Sequence, residues 1–163
     1  MEQSLDADRV IVGVDGSKSS VAALRYAARI AEAFDAPIEA VTAWSYPPFA
    51  EPALMTEWSP ESDAAAILDD AIAEAFGDAP PRELTRSVLV GPAARALIER
   101  SEGCAMLVLG SRGLGGFAGL LLGSVSAACA AHAKCTVVIV HPPASVTGHG
   151  ASEPPAEPTA DET

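Results

Sequence analysis

The chain has 163 residues, 49% of them apolar and 5% aromatic, which is enough for one domain with a core of aliphatic side chains. Its formal net charge of −12 works against general affinity for DNA, RNA or an anionic membrane. Any anion the protein holds must therefore be drawn in by local donors, against the field of the whole molecule.

Residues 1–8 are polar and acidic, unlike a secretory leader, and read as a flexible start. The apolar run Arg9-Val10-Ile11-Val12-Gly13-Val14, closed by Asp15-Gly16-Ser17, reads as a strand buried on both faces. Ser17, Ser19 or Ser20 caps the helix that follows, whose apolar stripe is Val21, Leu24, Ala28 and Ala31, widened by Ala27, Ile30 and Phe34. After Pro37, Ile38 to Trp44 reads as a second strand, and the Pro-rich stretch Ser45 to Trp58 as a loop. Ser59-Pro60 sets a cap before a proline at the first helical position. Ala64, Ile67, Leu68, Ala71, Ile72, Ala75 and Phe76 then mark a second helix that stops at Gly77.

Leu84 to Val90 supplies a third strand, and Gly91-Pro92 opens a short helix through Leu97 and Ile98 that ends near Gly103. Ala105 to Leu109 is the fourth strand, Ser124 to Ala133 the fourth helix, and Thr136 to Val140 the fifth strand. Strict alternation of strand and helix predicts an α/β fold with an open parallel five-stranded sheet and helices on both faces. The domain is expected over residues 9–141, with residues 142–163 a disordered Pro- and acid-rich tail.

The three cysteines, Cys104, Cys129 and Cys135, form no C-x-x-C pair and read as small buried side chains in a reducing cytoplasm. Phe117 to Ala133 is uncharged but has 17 residues, short of the ~20 a spanning helix needs. The histidines His132, His141 and His149 lack metal-ligand spacing, so no zinc site and no dedicated metal ligands are expected.

Residues 110–126, GSRGLGGFAGLLLGSVS, carry most of the functional information. A strand ends in glycine, the chain makes a glycine-rich excursion, and it returns at a helix N-terminus. Glycine lets backbone N–H groups approach a ligand, and the helix start adds orphan donors and about half a positive charge. The expected ligand is a phosphate. A Walker loop requires a lysine that this segment lacks. A dinucleotide fingerprint, Gly113-x-Gly115-x-x-Ala118, stands after the wrong strand and has no acid in residues 132–140 for a ribose. The third reading is a split cradle, G-x2-G-x9-G-S. Gly110 and Gly113 lie near a ribose and the inner phosphates, and Gly123, Ser124 and Val125 offer N–H groups and a hydroxyl to the outer ones.

In this spacing the chain resembles the universal stress protein family, and within it the ATP-binding branch. The resemblance covers residues 9–141 and includes Val12-Gly13-Val14-Asp15-Gly16-Ser17, Gly91-Pro92-Ala93 and the closing strand Thr136 to Val140. It implies the strand order 3-2-1-4-5, ATP as the ligand with Mg2+ or Mn2+ held by the phosphates, and a homodimer formed through the last strand. It also implies that Gly13 lies near the base, that Asp15 contacts the nucleotide, and that the Ala43 backbone pairs with the adenine edge.

Each assignment has an alternative in the residue's own chemistry. Asp15 could instead cap its Asp-Gly-Ser turn, and Gly13 could ease strand–helix packing. Arg112 is either a phosphate partner or a solvated loop arginine. Ser124 is a phosphate donor, an N-cap, or both, with Ser126 a weaker second donor. No nucleophile–base–orienter set is visible, so no catalytic residue is assigned. The expected function is an ATP-dependent sensor or regulator in the stress response. Its alternatives are a slow ATP hydrolase or autophosphorylating protein using the same pocket, and an interaction protein indifferent to the ligand.

Overall fold

The computed structural model describes residues 8–46, 59–115, 119 and 121–143. Within them run β1 (Val10–Gly13), α1 (Lys18–Phe34), β2 (Ile38–Trp44), α2 (Pro60–Phe76), β3 (Leu84–Val90), α3 (Ala93–Arg100), β4 (Met106–Gly110), α4 (Ser124–His132) and β5 (Thr136–Val140). Residues 1–7, most of the expected 45–58 loop and the stretch from residue 144 lie outside the described residues.

The sheet order is β3-β2-β1-β4-β5 with every pair parallel, the architecture expected from the alternation and the resemblance. All four residues of β1 are buried, as a central strand covered on both faces must be. Side-chain alternation divides the core in two. Val10, Val12, Ile38, Ala40 and Val108 pack with α1 and α2 on one face, while Ile11, Val41, Leu107 and Leu109 pack with α3 and α4 on the other.

Helix ends follow the residues that mark them. Ser17 caps α1, its Oγ accepting the Ser20 N–H at 3.2 Å, and Asp35 closes that helix in the left-handed region at φ 50°. Ser59 and Pro60 start α2, and Gly77 stops it at φ 58°. Two expectations need correction. Strand β4 begins and ends one residue later than expected, which brings Gly110 into the ladder opposite Val140. Phe34, the last residue of α1, is not part of the buried stripe but 75% exposed.

One buried charge crosses the layers. Glu39 of β2 is 1% exposed, yet it carries a carboxylate. Its Oε1 accepts hydrogen bonds from Ser87 Oγ at 2.5 Å and from Arg100 Nε and Nη2 at 2.9 and 2.7 Å. Arg9 Nη1 lies 3.2 Å from Oε2. The carboxylate thus ties β2 to β3, α3 and the residue preceding β1, at the end of the sheet where the strands begin.

Candidate functional site

Strands β1 and β4 are neighbours, but the chain leaves β1 for β2 on one side and enters β4 on the other. This reversal opens a crevice at the strands' C-terminal ends, where open α/β sheets take ligands. A cavity of about 780 Å³ occupies it. Gly13, Asp15, Ala43, Gly110, Arg112, Gly113, Gly123, Ser124 and Val125 all line this one cavity, although they come from four separate stretches of chain.

The turn after β1 and the turn after β4 are bound together by Asp15. Its Oδ1 accepts the Ser17 N–H at 3.0 Å, and its Oδ2 accepts the Leu114 N–H at 3.1 Å. Asp15 is therefore the turn-capping aspartate, and it also pins the glycine turn. Each oxygen retains a lone pair for a further donor. Ser17 adds a second tie, its Oγ donating to the Arg112 carbonyl at 3.4 Å.

Protein atoms account for three of the glycines. A Cβ on Gly110 would stand 2.6 Å from the Ser19 carbonyl carbon, so the end of β4 packs directly on the backbone of α1. One on Gly113 would meet Asp15 Oδ2 at 2.5 Å, and one on Gly13 would meet Leu109 Cδ2 at 2.5 Å. Gly13 thus leaves room for Leu109 of β4 and, at 3.1 Å, for Leu97 of α3, while it also lines the cavity. Gly123 differs: its nearest neighbours would be Arg112 Cα, Gly113 N and Ser126 Oγ at 3.4–3.6 Å, ordinary contact distances.

The start of α4 corrects three expectations. The N-cap is Gly123, not Ser124, which occupies the first helical position. The Gly123 N–H is also not offered to a ligand, because it donates to the Ser111 carbonyl at 2.7 Å. That carbonyl accepts again from Ser126 Oγ at 3.0 Å, so the Ser126 hydroxyl is turned into the fold and is no ligand donor. With a glycine as cap there is no side-chain capping bond, and the helix opens on the cavity with the Ser124 and Val125 N–H groups beside it. Arg112 is exposed at the rim and, among the described residues, has no carboxylate partner.

Several lining residues were not evident beforehand. Helix α2 contributes Pro60, Asp63 and Ile67, and β2 adds Thr42 and Trp44, whose ring meets Tyr46 edge-on at 4.9 Å. Nothing in the spacing of α2 signals this. Its place at the crevice depends on its packing against α1. Among the described residues no cluster of three or more His, Cys, Asp or Glu side chains could hold a metal ion, and no helix is long and apolar enough to cross a membrane.

A doubly wound parallel sheet with its cavity at the β1/β4 reversal, walled by a glycine turn and an open helix start, defines a class of small α/β ligand-binding domains. Within that class the chain belongs to the universal stress protein family, whose model matches residues 7–141. A universal stress protein of Mycolicibacterium smegmatis is 32% identical over 148 residues, covering 86% of this chain and 50% of that protein. The chain spans about half the length of such curated relatives. Among solved structures, a universal stress protein in complex with cAMP is 32% identical with a TM-score of 0.59, covering 83% of this chain and 97% of that one. UspA from Lactobacillus plantarum, at 22% identity, shares the fold with a TM-score of 0.71 over 82% of this chain and 97% of its own.

Proposed function

We propose that the cavity binds an adenine nucleotide, ATP with Mg2+ or Mn2+, and that the protein acts in the cytoplasm as a nucleotide-dependent sensor or regulator in the stress response. The observation that carries this reading is the uncapped start of α4 on a cavity of about 780 Å³ at the β1/β4 crevice. Such a volume lies in the range of small-molecule sites, and unsatisfied N–H groups at a helix start suit phosphate oxygens. In this reading Ser124 and Val125 hold phosphates, Arg112 closes over them, Asp15 accepts ribose hydroxyls, and the Ala43 backbone meets the adenine edge.

Charge decides how the metal enters. Among the described lining residues Arg112 is the one cationic side chain, against the two carboxylates Asp15 and Asp63, in a chain of net charge −12. A triphosphate therefore needs a divalent cation to offset its charge, and the phosphates themselves supply the ligands. A singly charged cyclic monophosphate needs none. That ligand is the second reading, favoured by the 32% identical structure solved with cAMP.

The test is to denature the purified protein, identify released nucleotide by chromatography, and then titrate ATP and cAMP with Mg2+ and with a chelator. ATP binding is expected at micromolar concentration and to be lost with the chelator, whereas cAMP binding indifferent to the chelator supports the second reading. Absence of both released nucleotide and measurable affinity would overturn both. If ATP is bound, an unchanged ATP pool over hours rejects the slow hydrolase alternative.

A further inference from the structure

At the opposite end of the sheet from the cavity, Cys104 and Cys135 lie just before β4 and β5. Those strands are paired, with Met106 opposite Thr136, so Cys135 stands one position and Cys104 two positions before a matched pair on adjacent strands. Both residues pack in the α3/α4 core, and their thiols lie near enough to act on one another electrostatically. Adjacent strands lie about 4.8 Å apart and one position of offset adds about 3.3 Å along the strand, so strand spacing puts the two Cα atoms roughly 6 Å apart, within the separation that a disulfide bridges. Both cysteines are reduced here, and so is Cys129, whose Sγ faces the Ala94 carbonyl at 3.9 Å.

We infer that Cys104 and Cys135 form a site of reversible oxidation that closes a disulfide between β4 and β5. Cys135 is half-buried and is the thiol an oxidant reaches first, whereas Cys104 is buried and protonated, its thiol pushed up to about 12 by burial. With hydrogen peroxide as oxidant, Cys135 Sγ attacks one oxygen, the O–O bond breaks, and sulfenic acid and water form. Cys104 Sγ then attacks Cys135 Sγ. The S–S bond forms, the S–O bond breaks, and hydroxide leaves with the Cys104 proton as a second water. Two thiols lose two electrons, and the peroxide gains them. The bridge closes segment 104–135, which contains β4, the whole glycine turn and α4. Transient bridges of this kind are how reducing compartments use disulfides.

The test uses the whole chain. It is exposed to peroxide, denatured, alkylated and weighed intact. The expected product has lost two hydrogens and carries one alkyl label instead of three, located at Cys129. A dithiol reductant should restore three labels, and the oxidised form should unfold at a midpoint several degrees higher. Cys129→Ser should still form the bridge, and Cys135→Ser should not. Three labels after oxidation, a bridge that includes Cys129, or stable over-oxidation of Cys135 without a bridge would overturn the inference. Because the parent chain gives the decisive reading, a variant that fails to fold leaves the result intact.

Discussion

Gly110 and Gly123 sit in one motif, yet opposite consequences are expected when each gains a side chain. At Gly110 a methyl group would press on the Ser19 backbone at 2.6 Å, and α1 cannot move away without opening the core. Gly110→Ala is therefore expected to destabilise the fold by ~1–3 kcal/mol, read from the urea midpoint. At Gly123 the backbone is extended, with φ −73° and ψ 166°, and the neighbours stand at contact distance, so Gly123→Val should cost about 1 kcal/mol or less as a poorer N-cap. Gly123 lines the cavity, so a branched side chain there takes space from the proposed ligand. Nucleotide affinity should fall tenfold or more, ~1.4 kcal/mol, by isothermal titration. Unchanged affinity would place the phosphates elsewhere. The spacing of these glycines was legible in the sequence, but the physical reasons were not. Gly13, Gly110 and Gly113 make room for Leu109, Ser19 and Asp15, atoms distant in the chain that no local pattern reveals.

Among the elements, the boundaries were the most legible part. Ser17, Ser59-Pro60 and Gly77 act on the backbone within a few residues, so β2, β3 and β5 lie where the sequence sets them. Features made by tertiary contact were not legible. Strand β2 reads as IEAVTAW, with nothing to mark Glu39 as more than an exposed residue. Its partners Arg9, Ser87 and Arg100 come from three other segments. Replacing Glu39 by Ala leaves Arg9 and Arg100 without this carboxylate, and a loss of ~3–5 kcal/mol is expected. Urea unfolding checks the loss. Glu39 lies four residues before Ala43 in β2, roughly 13 Å from the cavity end, so affinity per folded molecule should not change. A concurrent loss of affinity would show that the two ends of the sheet are not independent.

For the whole molecule, the strand order leaves β5 at one edge of the sheet, with Val137, Val138, Ile139 and Val140 half-buried and Thr136 exposed. An apolar edge invites pairing with another strand. We propose that Thr136–Val140 pairs with its copy in a second chain. Light scattering should then give twice the 16.6 kDa of one chain at micromolar concentration. A mass of one chain across that range would reject the pairing.

Ser111 gives that edge a consequence for the cradle. Its N–H donates to the carbonyl of Val140, the last residue of β5, at 2.8 Å, and its own carbonyl receives Gly123 N–H and Ser126 Oγ at the start of α4. A single residue is thus joined to β5 by one hydrogen bond and to the start of α4 by two. If the edge strand pairs and the pocket takes its ligand, any coupling through Ser111 acts equally in both directions, association shifting affinity by the free energy with which the ligand shifts association.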